Sequence, residues 1–194
     1  MKQLLDYIKN EQDKTAKRPF LIAIDGPCGS GKSTLGNYLR EQLSCSLFHM
    51  DDFFLQPHQR TPERLAAPGG NVDYERFQEE VLNHLTDRSG LNFHPFSCQQ
   101  WKLGEARFMP YHDIVVVEGS YSHHPYFQDI YDIKIFLEIS PEEQRKRILN
   151  RDGEALWTMF EHKWIPMENQ YFETFKIKDK SDYLLPSVHL PCKI

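Results

Sequence analysis

The chain lacks the long apolar runs and the excess of basic residues that mark two broad classes of protein. No segment approaches the roughly 18 consecutive apolar residues of a membrane span. The 23 Lys and Arg residues are outnumbered by 28 Asp and Glu residues, which gives a net charge of −5 at pH 7. Phosphate backbones are bound by clustered Lys and Arg. We therefore expect neither a membrane nor a nucleic acid as partner.

The sequence is also poor in cysteine and in recognisable metal-binding spacings. None of the cysteines stands in a Cys-x-x-Cys pair, so we expect free thiols in a reducing cytoplasm: Cys28, Cys45, Cys98 and Cys192. Residues 1–18 are polar and lack the apolar centre of a secretory signal. Three histidines match no zinc spacing and are interpreted as ordinary loop residues: His94, His123 and His124.

One glycine-rich segment has a sequence that predicts a specific chemistry. Residues 26–33 fit the phosphate-loop pattern G-x-x-x-x-G-K-[ST]. Backbone amides of such a loop form a concave anion site, and the following helix adds the positive end of its dipole. Lys32 would reach the β- and γ-phosphates, and the Ser33 hydroxyl would hold Mg²⁺. The predicted nucleotide-binding residues are Gly26, Pro27, Cys28, Gly29, Ser30, Gly31, Lys32, Ser33 and Thr34.

The residues around this loop support the interpretation. Residues 20–25 form a continuous apolar run, as in a buried parallel strand. Leu35, Leu39 and Leu43 recur every four residues after the loop, which is typical of one helix face. Strand, glycine loop and helix are the setting that a phosphate loop requires. Cys28 is interpreted either as a small loop-filling residue or as a thiol whose pKa nearby amides lower.

Alternating strand and helix patterns predict an α/β fold with a parallel sheet of about five strands and helices on both faces. Strands are expected at residues 20–25, 46–50, 114–117, 134–139 and 181–185. Helices are expected at residues 2–10, after the phosphate loop, after an Asp73 N-cap, after a Ser140 N-cap and over 154–175. Aromatic residues on the 154–175 stretch are assigned to packing.

The length of 194 residues fits one domain, residues 1–194. Within it we expect a short N-terminal helical segment (1–17), a substrate-binding excursion (53–110) and a lid (144–153). Residues 56–71 are rich in Pro and Gly and predict a loop. Residues 91–107 are compatible with either a small hairpin or an irregular excursion.

Three carboxylates follow the predicted strands. Ligands of open parallel sheets bind beyond the carboxyl ends of the strands, so these side chains are expected in one crevice with the phosphate loop. Asp51 is predicted to accept the proton of an attacking hydroxyl, and Asp52 to share that role or to bind metal through water. Glu118 ends a β-branched run and is predicted to orient Mg²⁺. The alternative for each is a carboxylate that caps a turn.

A basic segment follows the fourth predicted strand. Arg147 and Arg151 are four residues apart and share a helix face, whereas Arg145 points elsewhere. A mobile arginine lid would cover the phosphates and exclude water. An ordinary solvated basic face explains the same spacing.

This ordered set of motifs resembles the uridine kinase and phosphoribulokinase-like family of P-loop kinases. The matching segments are residues 24–33, 50–54, 71–73, 115–119 and 145–152, within a resemblance that covers roughly residues 18–186. It implies a P-loop kinase fold, ATP or GTP as donor and a small hydroxyl compound as acceptor, first of all the 5′-hydroxyl of uridine or cytidine. It also implies that Asp51 is the catalytic base, that Asp73 binds sugar hydroxyls and that Arg147 and Arg151 belong to the lid.

The segment that would contact a nucleoside base departs from the family pattern. Uridine kinases place an aromatic hairpin there, and the corresponding residues 93–98 lack the usual Tyr-Asp-Phe. Phe96 is the ring expected to stack on a base. Pantothenate, nicotinamide riboside or a sugar phosphate remain alternative acceptors. A sugar phosphate would call for more basic residues near the acceptor, and Arg60 and Arg64 are the only Lys or Arg residues between Asp51 and Asp73.

Two other classes of protein are compatible with a phosphate loop. A nucleotide switch protein would carry Asn-Lys-x-Asp, which is absent. The Asp-x-x-Gly at residues 87–90 follows a helical segment rather than a strand. A catalytically weak relative that binds nucleotide for regulation also fits the sequence. The second helix and the hairpin after it could pack against another copy of the chain, which leaves a homo-oligomer open.

Overall fold

The structure, a computed structural model, describes residues 1–127 and 129–187, so the predicted thiol of Cys192 lies outside the described residues. The α-helices are α1 (Lys2–Asp13), α2 (Lys32–Leu43), α3 (Pro62–Ala66), α4 (Tyr74–Glu80), α5 (Pro141–Met159) and α6 (Ile165–Phe175). The strands are β1 (Phe20–Asp25), β2 (Ser46–His49), β3 (Leu91–Phe93), β4 (Phe96–Ser97), β5 (Lys102–Leu103), β6 (Arg107–Met109), β7 (Ile114–Glu118), β8 (Ile133–Glu138) and β9 (Tyr183–Pro186).

The predicted parallel sheet is confirmed. Five strands run in the order β2-β7-β1-β8-β9, and every neighbouring pair is parallel. The central strands β1 and β7 are buried along their whole length, as their continuous apolar runs predict. Their carboxyl ends, together with that of β2, bring the phosphate loop and the predicted carboxylates to one edge of the sheet.

Helices cover both faces of this sheet. On one face, α1 and α2 contribute Leu4, Ile8, Leu35 and Leu39 to a core with alternate residues of the strands. On the other face, the core contains Phe77 of α4 and Tyr171 of α6 together with the remaining strand residues. Side chains alternate between the two sides of a strand, so each apolar strand supplies both cores. None of the helices in the described ranges combines the length and hydropathy needed to cross a bilayer.

Two local predictions are wrong in part. Residues 56–71 are not all loop, because Thr61 caps α3 by accepting from the Arg64 amide, and Pro62 occupies its first turn. The strand predicted over residues 46–50 ends at His49, because residues 50–53 form a single 3₁₀ turn that carries Asp51 and Asp52.

The excursion left undecided between residues 91 and 107 is now defined. It consists of two small antiparallel pairs, β3 with β6 and β4 with β5. The stretch predicted as one helix over residues 154–175 is interrupted by a π-helical turn at residues 160–164. The predicted lid, residues 144–153, belongs to α5, whose helical geometry breaks at Gly153, where φ is 78°. Glycine adopts this conformation at little steric cost, so a kink is placed there.

Candidate nucleotide-binding site

The phosphate loop leaves β1 through a turn that only glycine fits. Gly26 has a φ of 141°, and a β-carbon there would collide with the backbone oxygen of Leu137 on β8. The loop then leads into α2, whose N-cap residue Gly31 has a φ of 99° and offers no side chain to cap the helix. The first amides of α2 therefore remain available to an anion.

Lys32 lies within this loop and is 8% exposed. Its Nζ donates to the backbone oxygen of Gly26 at 2.7 Å and to that of Pro27 at 3.0 Å. The ammonium group is thus held at the centre of the loop by weak, neutral acceptors. A phosphate oxygen would be a stronger partner because both groups would then be charged.

The remaining predicted loop residues differ in exposure. Ser33 and Thr34 are exposed at the start of α2, where ligand would meet them. Ser30 is fully buried, and its hydroxyl has no hydrogen-bond partner among the residues that the structure describes. Burial, together with the nearby Glu168 carboxylate, raises the pKa of Cys28. The interpretation of Cys28 as an activated thiol is therefore wrong, and a loop-filling role agrees better with the structure.

The predicted lid contacts the loop through two side chains of α5. Arg147 donates to the backbone oxygen of Gly29 at 3.0 Å, and Gln144 donates to that of Cys28 at 2.9 Å. The Arg151 guanidinium is paired with Asp152, which raises its pKa, and the charges of Cys28 and Asp51 raise it further. In this conformation one of the two predicted lid arginines supports the loop.

A buried carboxylate anchors the base of the phosphate loop. Asp25 accepts from the amides of Gly26 (2.7 Å), Tyr121 (3.2 Å) and His123 (3.0 Å), and from the hydroxyl of Tyr171 (2.8 Å). Burial raises the pKa of Asp25 to about 6, against the opposing effect of its hydrogen-bond donors. Asp25 thereby joins β1, the turn after β7 and α6 at one point beneath the loop.

We expect Tyr171→Phe to lower the free energy of unfolding by about 2 kcal/mol at neutral pH, because a hydrogen bond to a buried, charged group is lost. Urea denaturation followed by circular dichroism measures the change. Tyr126→Phe, at a side chain 41% exposed, is the matched control and should leave stability unchanged. Equal stability of the two variants would show that Asp25 gains nothing from the Tyr171 hydroxyl.

Asp51 and Asp52 lie in the turn that follows β2. Asp51 is exposed to solvent, and the charges of Glu118, Lys32 and Glu168 act on its carboxylate. Its pKa is raised, first by reduced hydration and then by the negative charge of Glu118, while Lys32 acts in the opposite direction. Asp52 is directed toward Arg107, whose guanidinium lies 3.5 Å from its carboxylate. The two neighbouring carboxylates therefore have different surroundings.

Glu118 ends β7 beside β2, at the same level as His49. Its carboxylate is buried and hydrogen-bonded to the His49 ring. That hydrogen bond raises the pKa of His49, with the charges of Asp52 and Asp51 as smaller causes. Glu118 also packs against Gly36, where a β-carbon would lie 3.1 Å from its Cγ. Gly36 is three residues after Ser33, so Glu118 borders the start of α2.

Two residues predicted to bind the acceptor have contacts within the fold. Asp73 is 2% exposed and caps α4, accepting from the Arg76 amide at 3.1 Å and from Gln59 Nε2 at 3.0 Å. Phe96 is 6% exposed and belongs to the interior rather than to an open stacking surface. Its partner Trp101 is 55% exposed and has the Arg60 guanidinium 5.2 Å from its ring centroid.

Three residues of the site have no sequence signal that would have identified them. Gln144 is the first of them: it lies on the same helix as the predicted Arg147 and also donates to the loop, but it was not predicted. Tyr121 follows Glu118 closely and has a φ of 77°, which is unusual for a tyrosine. Glu168 lies within the stretch assigned to aromatic packing, yet its carboxylate accepts from the Cys28 amide at 2.8 Å.

Several known proteins resemble this chain in sequence or in fold. A family model described as "AAA domain" matches residues 22–161. The chain is 31% identical over 148 residues to the uridine kinase of Clostridium botulinum (strain Okra / Type B1), a match that covers 70% of each protein. It is 28% identical over 159 residues to uridine kinase-like protein 5 of Arabidopsis thaliana. That match covers 76% of this chain and spans 33% of the length of the plant protein.

Solved structures with the same fold include one described as "a Possible Uridine Kinase" from Bacillus stearothermophilus. Its TM-score is 0.66 at 19% identity, with 94% of this chain and 99% of that chain covered. D-glycerate 3-kinase from Cryptococcus neoformans gives a TM-score of 0.65 at 14% identity, with 94% and 92% covered. These structures support the fold, and the sequence relatives establish the family. The chain belongs to the uridine kinase-like family of P-loop kinases.

Proposed function

We propose that this protein transfers the γ-phosphoryl group of ATP to a hydroxyl group of a small molecule, with the 5′-hydroxyl of uridine or cytidine as the first acceptor to test. The observation that carries the proposal is the position of Lys32 and Asp51. Lys32 belongs to the phosphate loop, Asp51 lies in the turn after the next strand along the chain, and Lys32 is close enough to affect the pKa of Asp51.

The phosphate loop supplies the donor half of the reaction. Lys32 would leave the oxygens of Gly26 and Pro27 for the phosphates, while the uncapped amides of α2 bind the same anion. Arg147 would stabilise developing negative charge if it moved from the oxygen of Gly29 to the phosphates. Phosphoryl transfer depends mainly on such positioning and electrostatic stabilisation.

Asp51 supplies the acceptor half. Asp51 is exposed to solvent, so a small molecule would reach it. A raised pKa brings a carboxylate closer to the operating pH and makes it a better proton acceptor. Asp51 would accept the proton of the substrate hydroxyl as the oxygen attacks the γ-phosphorus. Asp52, directed at Arg107, is the weaker candidate for this role.

The residues present fit Mg²⁺ bound jointly by protein and nucleotide. Ser33 and Glu118 offer the hard oxygen ligands that Mg²⁺ prefers and border the same end of α2. No cluster of three or more metal-ligating side chains occurs within residues 1–127 and 129–187. Mg²⁺ commonly binds through one or two carboxylates plus phosphate oxygens, so a smaller protein set suffices. Bound there, Mg²⁺ would neutralise phosphate charge; Asp52 is a further candidate ligand.

The acceptor would contact Trp101 rather than the buried Phe96. We expect Trp101→Ala to raise the KM for a nucleoside acceptor about tenfold, since a base that stacks on an aromatic ring gains about 1–3 kcal/mol. The KM for ATP should stay unchanged. Phe108→Ala removes another ring, 61% exposed, and is the matched control. An unchanged acceptor KM in Trp101→Ala would remove this ring from the acceptor site.

The proposal is tested by ADP formation with Mg-ATP or Mg-GTP and a panel of acceptors. The panel contains uridine, cytidine, other nucleosides, pantothenate, nicotinamide riboside and sugar phosphates. Turnover that depends on one acceptor supports the proposal and identifies the substrate. Nucleotide binding without turnover on any hydroxyl compound would favour the second candidate, a regulatory nucleotide-binding protein.

A further inference from the structure

A carboxylate from outside the phosphate-loop motif is bound to the loop itself. Glu168 lies in the first turn of α6 and is 5% exposed. One of its oxygens accepts from the backbone amide of Cys28 at 2.8 Å, and the other accepts from the Ser120 hydroxyl at 2.6 Å. Glu168 therefore joins α6, the phosphate loop and the turn after β7.

These two hydrogen bonds do not require a negative charge. A glutamine at this position would accept from Cys28 through its oxygen and donate to Ser120 through its nitrogen. It would also avoid the cost of burying a carboxylate, which is substantial without a cationic partner. Glu168 forms no ion pair with Lys or Arg within 4.0 Å in the described part of the chain. The negative charge of Glu168 is therefore not explained by its hydrogen bonds.

The Glu168 carboxylate lies near two parts of the proposed active site. Glu168 contacts Cys28 in the loop, and its field also reaches Asp51, whose pKa it raises. Lys32 acts on the same two groups with the opposite sign. Glu168 is therefore near both the loop that would bind the donor and the carboxylate that would receive the proton. The γ-phosphoryl group would move between these two places.

We propose that Glu168 is a positioning residue whose negative charge weakens binding of the terminal phosphate of ATP, so that the site holds the triphosphate less tightly than its contacts alone would allow. This inference rests on the proposed function. A γ-phosphate held against a fixed negative charge is destabilised in the ground state, and transfer to the acceptor relieves the repulsion. ADP lacks the γ-phosphate and would be affected far less.

The test compares the affinities of a non-hydrolysable ATP analogue and of ADP by calorimetry with excess Mg²⁺. Glu168→Gln keeps both hydrogen bonds and removes the charge, so it should bind the analogue about tenfold tighter while ADP binding changes less than about twofold. Turnover should show a lower KM for ATP together with a lower kcat. Glu168→Asp keeps the charge and should retain the wild-type ratio of affinities. Glu173→Gln, an exposed residue of the same helix, is the matched control.

If Glu168→Gln changes the affinities for the analogue and for ADP equally, or changes neither, the inference is overturned and Glu168 only links the loop to α6 and to the turn after β7. Thermal melting of each variant identifies loss of fold. If Glu168→Gln is unfolded, Glu168→Asp is decisive, because it keeps the charge and should keep the wild-type ratio of analogue affinity to ADP affinity. A ratio tenfold above that of the wild type in Glu168→Asp would contradict a role for the charge. The proposed function fails separately, since wild-type protein would then show no acceptor-dependent turnover whatever the affinity ratio.

Discussion

The Lys32→Ala variant is expected to lose ATP binding and phosphoryl transfer together, with kcat/KM lower by about 10²–10³-fold. Lys32 is the buried cation of the phosphate loop, and its present partners are two neutral backbone oxygens. Its charge is therefore available to the phosphates, both in the bound nucleotide and in the transition state. Calorimetry with ATP and steady-state ADP formation measure the two losses.

The control for this variant is Lys9→Ala, which removes an equal charge from the exposed surface of α1. It should match the wild type in both assays. Lys32→Ala also deletes two hydrogen bonds within the loop, so its thermal melting is measured alongside. ATP use at the wild-type rate in a folded Lys32→Ala protein would contradict the assignment of residues 26–33 as the nucleotide site.

The Asp51→Asn variant is expected to lower kcat by about 10²–10⁴-fold with little change in ATP affinity. Asparagine has nearly the same shape but cannot accept the proton of the substrate hydroxyl. Removing a negative charge next to the phosphates would, if anything, favour ATP binding slightly. Single-turnover measurements at saturating ATP separate this chemical defect from a binding defect.

Asp52→Asn provides an internal comparison because it alters the neighbouring carboxylate in the same turn. Asp52 is directed at Arg107, so its loss should reduce kcat much less than the loss of Asp51. Asp6→Asn, on the exposed face of α1, should have no effect. Equal losses at positions 51 and 52 would contradict the assignment of a single base, and an unaffected Asp51→Asn enzyme would remove Asp51 from the mechanism.

The sheet and the phosphate loop were predictable because their signals are local. The apolar runs of β1 and β7 are long enough to identify buried strands, and the glycine pattern fixes the loop between β1 and α2. The strand-end rule then placed Glu118 and Asp51 at one edge without any knowledge of side-chain contacts. The N-caps Asp73 and Ser140 were likewise confirmed, since each accepts from an amide three residues later.

The roles of individual side chains were less predictable because they depend on contacts between distant segments. Asp73 was predicted to bind the acceptor, which stays a prediction, and nothing in the sequence indicated that its carboxylate, besides accepting from the Arg76 amide, also accepts from Gln59. Phe96 and Trp101 are both aromatic residues of one hairpin, and only the fold decides which ring is exposed. Glu168 is 140 residues from Cys28 along the chain, so no local pattern reveals their hydrogen bond.

We propose that the phosphate loop and Asp51 together transfer a phosphoryl group from ATP to an alcohol. The most direct measurement incubates the protein with ATP labelled in its γ-phosphate and a mixture of small hydroxyl compounds, and then separates the products. We predict that the label appears in an organic phosphate ester with wild-type protein and not with Lys32→Ala. Label that stays in ATP or appears only as inorganic phosphate would contradict the account.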